Sequence, residues 1–306
     1  MSPLLDTLAL VHPEAIQVFS HPDSYSSQFQ FPLTANLNDS QLVRCSTYSN
    51  IHVMPIHDSS EGEHKSIAVK SLRLYKRNDP KVSQWIVVLK SLQQQHARLN
   101  LEHDNLEPFR IIYTTNAGVS IPAIVTSWHQ NSDILTYVSR NPAVDKVALL
   151  RQLASAICYL HAGGVTHGNI YTGNVLITTK GVVRLADVSL SYFIRQHMHL
   201  DYVPVPATWM YKPHEELLLG TQGAQTDIYA FGSIVYTIYS LRPPYLPTTT
   251  AKGIVEVTTL GHRKAFEHSR PADMSIAMWN IIQDCWTFAP EDRPTMKVVY
   301  EMIHSL

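Results

Sequence analysis

Thiol and imidazole chemistry needs those groups brought together at ligand or redox spacing. The sequence has three cysteines, Cys45, Cys158 and Cys285, and they stand far apart. They form no zinc pattern and no disulfide ladder, which suits a reducing, cytoplasmic compartment. The 16 histidines are scattered. His64 and His96 suggest no ligand geometry, so surface histidines are the expectation. What remains is a dispersed set of short polar phrases. Ile67-Ala68-Val69-Lys70 ends on a cation, and His167-Gly168-Asn169-Ile170-Tyr171-Thr172-Gly173-Asn174 is rich in amides. Asp187 stands thirteen residues beyond Asn174, inside Leu185-Ala186-Asp187-Val188-Ser189. Asp227-Ile228-Tyr229-Ala230-Phe231-Gly232 follows, then Cys285-Trp286 with Pro290-Glu291-Asp292-Arg293-Pro294.

The elements that must position these residues change character along the chain. Residues 1–35 are interrupted by Pro3, Pro13, Pro22 and Pro32, and read as an extension with one short helix at most. From Leu42 to Leu74 the pattern is strand-like, with alternation at Ile51–Ile56 and a turn at Asp58–Gly62. Asp79-Pro80 reads as an N-cap followed by a first-turn proline. The spacing of Val88, Leu92 and Leu99 predicts a helix to about Leu101. Strands are predicted near Phe109–Thr114 and Ile121–Thr126. After Asp133 the chain becomes helical, first from Val147 to Leu160. Short strands at Val175–Ile177 and Val182–Leu185 precede helices near 226–241, 274–286 and 294–305. Strands followed by helices point to an α+β organisation in two lobes.

Bulk properties agree with a folded domain. The 306 residues are 45% hydrophobic and 16% charged, enough for a sizeable core. A formal net charge of -1 gives no global field for nucleic acid or anionic lipid. The basic run Lys70, Arg73, Lys76, Arg77 reads mainly as a solvated face. The start lacks a signal-peptide pattern, and no run of about 18 apolar residues exists to span a membrane.

The polar phrases taken together resemble the protein kinase superfamily, tyrosine-kinase-like group. His167–Asn174 resembles the catalytic loop H-R-D-L-x-x-x-N, and Leu185–Ser189 resembles the D-F-G segment with its Asp kept. Ile67–Lys70 resembles V-A-I-K on the third strand. Asp227–Gly232 resembles the D-x-x-x-F-G helix, and 285–294 the C-W-x-x-x-P-x-x-R-P ending. Each phrase alone is weak. Their order and spacing over residues 42–306 carry the resemblance. Segments around Trp128, Tyr137–Asn141 and Trp279–Arg293 are similar to basidiomycete fungal kinase-like domains.

The resemblance implies a bilobal α+β fold: a β-rich small lobe at about 41–126, a hinge at 127–130 and a helical large lobe at about 131–306, after an extension of 1–40. It implies ATP with Mg2+ as cofactors and a shared cleft for Lys70, Asn169 and Asp187. Lys70 takes the role of the phosphate-pairing cation. Ile51, Ala68 and Leu176 take the positions that sandwich adenine, Thr126 the gatekeeper position, and Ser127-Trp128-His129 the hinge. Asn174 and Asp187 take the metal positions, and a carboxylate with an amide oxygen suits magnesium. Glu215 and Arg293 take the positions of a buried structural pair.

The departures from the family pattern are equally specific. Asn169 replaces the catalytic Asp, and a neutral amide has no useful basicity. The glycine-rich loop is absent, since Arg44-Cys45-Ser46-Thr47-Tyr48-Ser49 contains no glycine; Tyr48 could cap the site. Gln94 or Gln95 stands where the helix Glu belongs, and an amide cannot neutralise Lys70. Gly168 replaces the Arg that anchors a phosphorylated activation loop. Val188 and Ser189 replace Phe and Gly. The His-Gly-Asn triplet is similar to the pseudokinase domains of Janus kinases and to the kinase-homology domains of receptor guanylate cyclases. The expectation is a catalytically impaired pseudokinase with weak ATP binding and a regulatory or scaffolding role toward a protein partner the sequence does not name. The alternatives are an active but unorthodox Ser/Thr or Tyr kinase, and a structural domain with a closed pocket.

Overall fold

The computed structural model describes residues 34–37, 40–45, 49–57, 64–73, 81–116, 119–198, 208–244 and 268–306. Tyr48, the turn at Asp58–Gly62, the helix start at Asp79-Pro80 and the short helix expected before residue 34 lie outside them. The described residues divide into two compact units. One comprises those of Met1–Arg98 with Pro108–Trp128, the other Leu99–Glu107 with His129–Leu306. The first is β-rich and the second helical, the small and large lobes of an α+β bilobal fold.

The small lobe is a six-stranded sheet in the order β1-β5-β6-β4-β3-β2. Its strands are β1 (Thr34–Asn36), β2 (Gln41–Cys45), β3 (Ser49–His57), β4 (His64–Leu72), β5 (Arg110–Asn116) and β6 (Val119–Ser127). All neighbouring strands pair antiparallel except β1, which runs parallel to β5. Alternation explains the core. Ile67 and Val69 of β4 and Ala123 and Val125 of β6 bury one face together with Leu37 and Ile112. Among the described residues the first strand of the sheet is Thr34–Asn36. Helix α1 (Lys81–Leu99) buries Val82, Trp85, Ile86, Val88, Leu89, Leu92 and His96 along one stripe. The Trp85 indole N–H donates to the Pro122 carbonyl at 2.8 Å, which ties this helix to β6.

In the large lobe, α3 (Lys146–Ala162) is capped by Asp145, whose carboxylate accepts from the Ala148 N–H. Helix α6 (Ala224–Ser240) is buried along most of its length. It packs on α7 (Ile276–Cys285) so closely that a Cβ at Gly232 would lie 2.8 Å from the Cys285 Cβ, so only glycine fits there. Helix α8 (Met296–His304) closes the core through Met296, Val299 and Ile303. The hairpin β7 (Val175–Ile177) and β8 (Val183–Leu185) carries the loop residues of interest on its flanks.

Three helices appear where no helix was expected: α2 (Ile134–Arg140), α4 (Leu190–Met198) and α5 (His214–Leu219). The first has a readable start, because Asp133 accepts from the Leu135 and Thr136 N–H groups. The expectation of surface histidines also fails in part. His167 is fully buried, and His52 and His96 are nearly so. His96 packs edge-on against the Phe109 ring.

Candidate nucleotide and phosphoryl-transfer site

The catalytic-loop phrase is built around Asp227, a carboxylate from the first turn of α6 that is 1% exposed. Its Oδ2 accepts from the His167 N–H (2.8 Å) and lies 3.0 Å from His161 Nε2, while Oδ1 accepts from the Gly168 N–H (2.9 Å). Two consecutive loop amides are thus aimed at one buried anion. The His167 ring turns the other way. Its Nδ1 accepts from the Asn169 N–H (3.2 Å), so Nε2 carries the proton and donates to the Ala186 carbonyl (2.9 Å). Burial holds His167 below the ordinary imidazole range, in keeping with a neutral ring between a donor and an acceptor.

These contacts fix the backbone on both sides of Asn169. Its carbonyl accepts from Asn174 Nδ2 at 3.0 Å. That bond assigns the Asn174 amide, with Nδ2 on the loop carbonyl and Oδ1 left as its acceptor oxygen. The Asn174 carbonyl in turn accepts from the Ala186 N–H at 2.8 Å, which sets Asp187 next to the loop. Asp187 adopts φ 63° and Ser189 φ 58°, left-handed values that L side chains seldom take. Ser189 is held there by its N–H on the His167 carbonyl (3.1 Å) and its hydroxyl on the Thr166 carbonyl (2.8 Å). Val188 is buried within the large-lobe core. Helix α4 begins directly after Ser189. A carboxylate, as at Asp187, and an amide oxygen, as at Asn174, are oxygen donors of the type magnesium takes. Among the described residues no group of three His, Cys, Asp or Glu side chains forms a metal cluster.

The small-lobe candidates share one face of the sheet. Lys70 stands directly opposite Ile51 on β3 and Ile124 on β6, and Ala68 stands opposite Val53 and Thr126. With a two-residue period, Ile51, Ala68, Lys70 and Thr126 all project from the face opposite the Ile67/Val69 core. All four are half-buried. Ser127 pairs with Ile67, and the Trp128 N–H is taken by the Ser66 carbonyl at 3.0 Å. Trp128 itself is exposed. Leu176, in β7, is half-buried opposite Arg184 and bridges to Asp133. In the eroded loop, β2 is exposed throughout and its pairing with β3 slips between Leu42 and Arg44. Of the two helix amides, Gln94 is exposed, whereas Gln95 turns its Oε1 into a buried position with no partner among the described residues.

Several residues of this region carried no sequence signal. Gln222 donates to the Gly168 carbonyl (2.7 Å) and to Glu216 Oε1 (3.1 Å). Buried Glu216 also pairs with Lys212 and lies 3.7 Å from Arg195 of α4. Gly168 adopts φ 77°, and a Cβ there would rest 3.5 Å from the Gln222 amide. A side chain at 168 would begin in ordinary contact with Gln222, and the positive φ is what favours glycine there. The pair expected at Glu215 and Arg293 forms as a buried bidentate bridge of 2.5 and 3.2 Å. Arg293 also donates to the carbonyls of Gln225, Thr287 and Phe288.

Comparison with known proteins agrees with this architecture. The family described as protein tyrosine and serine/threonine kinase matches residues 40–303. The tyrosine-protein kinase abl-1 of Caenorhabditis elegans is 23% identical over 215 residues, covering 68% of this chain and 17% of that protein. The probable serine/threonine-protein kinase gdt2 of Dictyostelium discoideum is 26% identical over 235 residues, covering 72% of this chain and 14% of that protein. Fibroblast growth factor receptor 1 of Pleurodeles waltl is 26% identical over 179 residues, covering 56% of this chain and 20% of that protein. The chain therefore spans a quarter or less of the length of these relatives.

Proposed function

The chain belongs to the protein tyrosine and serine/threonine kinase family, and from that premise we propose that it is a catalytically impaired, pseudokinase-like domain that binds ATP weakly and acts by regulating or scaffolding a protein partner. One observation carries this reading. Asn169 stands between backbone groups that are hydrogen-bonded on both sides, the His167 and Gly168 N–H groups on Asp227 and its own N–H and carbonyl on His167 and Asn174, which supports a reading in which the geometry is kept and the base is lost. General-base assistance contributes roughly 10²–10⁴-fold. The missing glycines and the amide in place of the helix Glu remove further support from the phosphates.

In this reading Ile51, Ala68, Thr126, Leu176 and the hinge Ser127-Trp128-His129 receive the purine. Lys70 pairs with the phosphates, and Asn174 and Asp187 would hold Mg2+, which supplies charge neutralisation at the phosphates. Losing a few phosphate hydrogen bonds at about 1.5–3 kcal/mol each sets affinity at roughly tens of micromolar or weaker. No helix of the described residues is long and apolar enough to cross a membrane. Three free cysteines accord with an intracellular, signalling role, and the similarity to basidiomycete domains with a fungal origin.

The second reading is an unorthodox Ser/Thr or Tyr kinase. It is favoured by retention of Asn174 and Asp187 in an ordered loop. Titration with ATP, with and without magnesium, tests the binding half of the proposal. Weak, magnesium-dependent binding that Lys70→Ala abolishes is expected. Sub-micromolar binding indifferent to Lys70→Ala would overturn the site assignment.

A further inference from the structure

Glu107 is a buried carboxylate that no motif accounts for. It lies 6% exposed, beside Leu106 and Pro108, at the point where the chain leaves the large lobe for β5. The chain returns at His129, the first residue of the large lobe after β6. Glu107 Oε2 and His129 Nε2 are 2.8 Å apart, with side-chain exposures of 2% and 12%. A carboxylate only accepts, so the imidazole Nε2–H donates. Burying a charge is costly, and a paired one at a crossing point is a specific expenditure of stability.

Both members of the pair are pinned elsewhere. The Glu107 N–H donates to the Leu185 carbonyl (2.9 Å), on the strand that runs into Ala186-Asp187. The His129 carbonyl accepts from the Ser132 N–H (3.0 Å). Side chain and carbonyl of His129 are therefore both committed. Its own N–H has no acceptor among the described residues. The Trp128 N–H, one residue earlier, is spent on Ser66.

We propose that Glu107 is a positioning residue for purine recognition: it holds the His129 imidazole against the large lobe, so that the hinge backbone and not the ring meets the base. The inference rests on the nucleotide reading above, but its first test does not. Glu107→Val removes the acceptor and suits an apolar neighbourhood, whereas Glu107→Gln keeps an oxygen for Nε2–H. His129→Ala removes the donor from the other side and serves as an independent variant.

Amide exchange at Ser132, whose acceptor is the His129 carbonyl, reports the hinge directly. It should rise on the order of tenfold in Glu107→Val and in His129→Ala, and stay near the parent rate in Glu107→Gln. The double variant should fall short of the sum of the two single changes, because the Glu107–His129 contact is lost only once. ATP affinity should fall by about the same tenfold factor in Glu107→Val, while binding of magnesium tripolyphosphate, which has no base, stays unchanged. Unaltered Ser132 exchange in Glu107→Val overturns the clasp whatever the nucleotide does. Equal loss of ATP and tripolyphosphate binding overturns the purine role. Raised exchange in a protein that binds no ATP upholds the clasp and removes the nucleotide reading instead.

Discussion

Replacing Asp227 by Asn tests whether the catalytic loop is held as the hydrogen bonds imply. The carboxylate receives the His167 and Gly168 amides and lies within hydrogen-bond distance of His161 Nε2, and it is buried. An asparagine keeps one oxygen, but its NH2 must face at least one of these donors. One charge-assisted bond, worth about 1.5–3 kcal/mol, is lost outright. The other two lose their charge assistance, roughly half their strength. The sum is about 3–6 kcal/mol. For a lobe of this size each kcal/mol lowers Tm by about 2–4 °C, so a fall of roughly 6–24 °C is expected. Thermal unfolding gives the magnitude, and hydrogen exchange at His167 and Gly168 gives the place. A variant within about 1 kcal/mol of the parent, with both amides still protected, would falsify the view that this carboxylate anchors the loop.

Two further outcomes follow from the same loop. Restoring the family arginine by Gly168→Arg should destabilise by about 1–2 kcal/mol in a denaturant melt, since φ 77° suits glycine and strains any L side chain; an unchanged or raised midpoint contradicts this. His167 is held below the ordinary value of 6.5 by burial, so the unfolded chain binds more protons between the folded and unfolded pKa values. Stability from this group is complete above 6.5 and is lost as pH falls below it; His167→Gln should flatten that part of the stability curve, and an unaltered slope would show that another group titrates there.

Much of the fold could be read from the sequence because its signals are local. The alternation of Ile67, Val69 and Lys70 sets strand and face at once, and the Asp145 cap and apolar spacing of 146–162 define α3. Thr34–Asn36 gave no such signal, because a three-residue strand in parallel pairing is specified by β5, far along the chain. Helix α4 follows a segment with left-handed residues at Asp187 and Ser189, which propensity does not foretell.

The candidate site divides the same way. Lys70, Asn174, Asp187 and the Glu215–Arg293 pair sit in phrases of fixed order. Gln222 and Glu107 matter through partners 54 and 22 residues away, which spacing alone does not reveal. His167 was legible as a motif residue but not as a fully buried one, because scattered histidines carry no periodicity.

The central claim is that the loop keeps its geometry and has lost its base. Transfer of radiolabelled γ-phosphate from ATP by the unmodified protein, to itself and to a general protein or peptide acceptor, measures it most directly. The account predicts transfer no greater than that of Asp187→Ala, and little gain from Asn169→Asp alone, because the base, the phosphate loop and the helix ion pair act as a unit. Robust transfer by the unmodified chain, abolished by Asp187→Ala, would contradict it and establish the unorthodox kinase in its place.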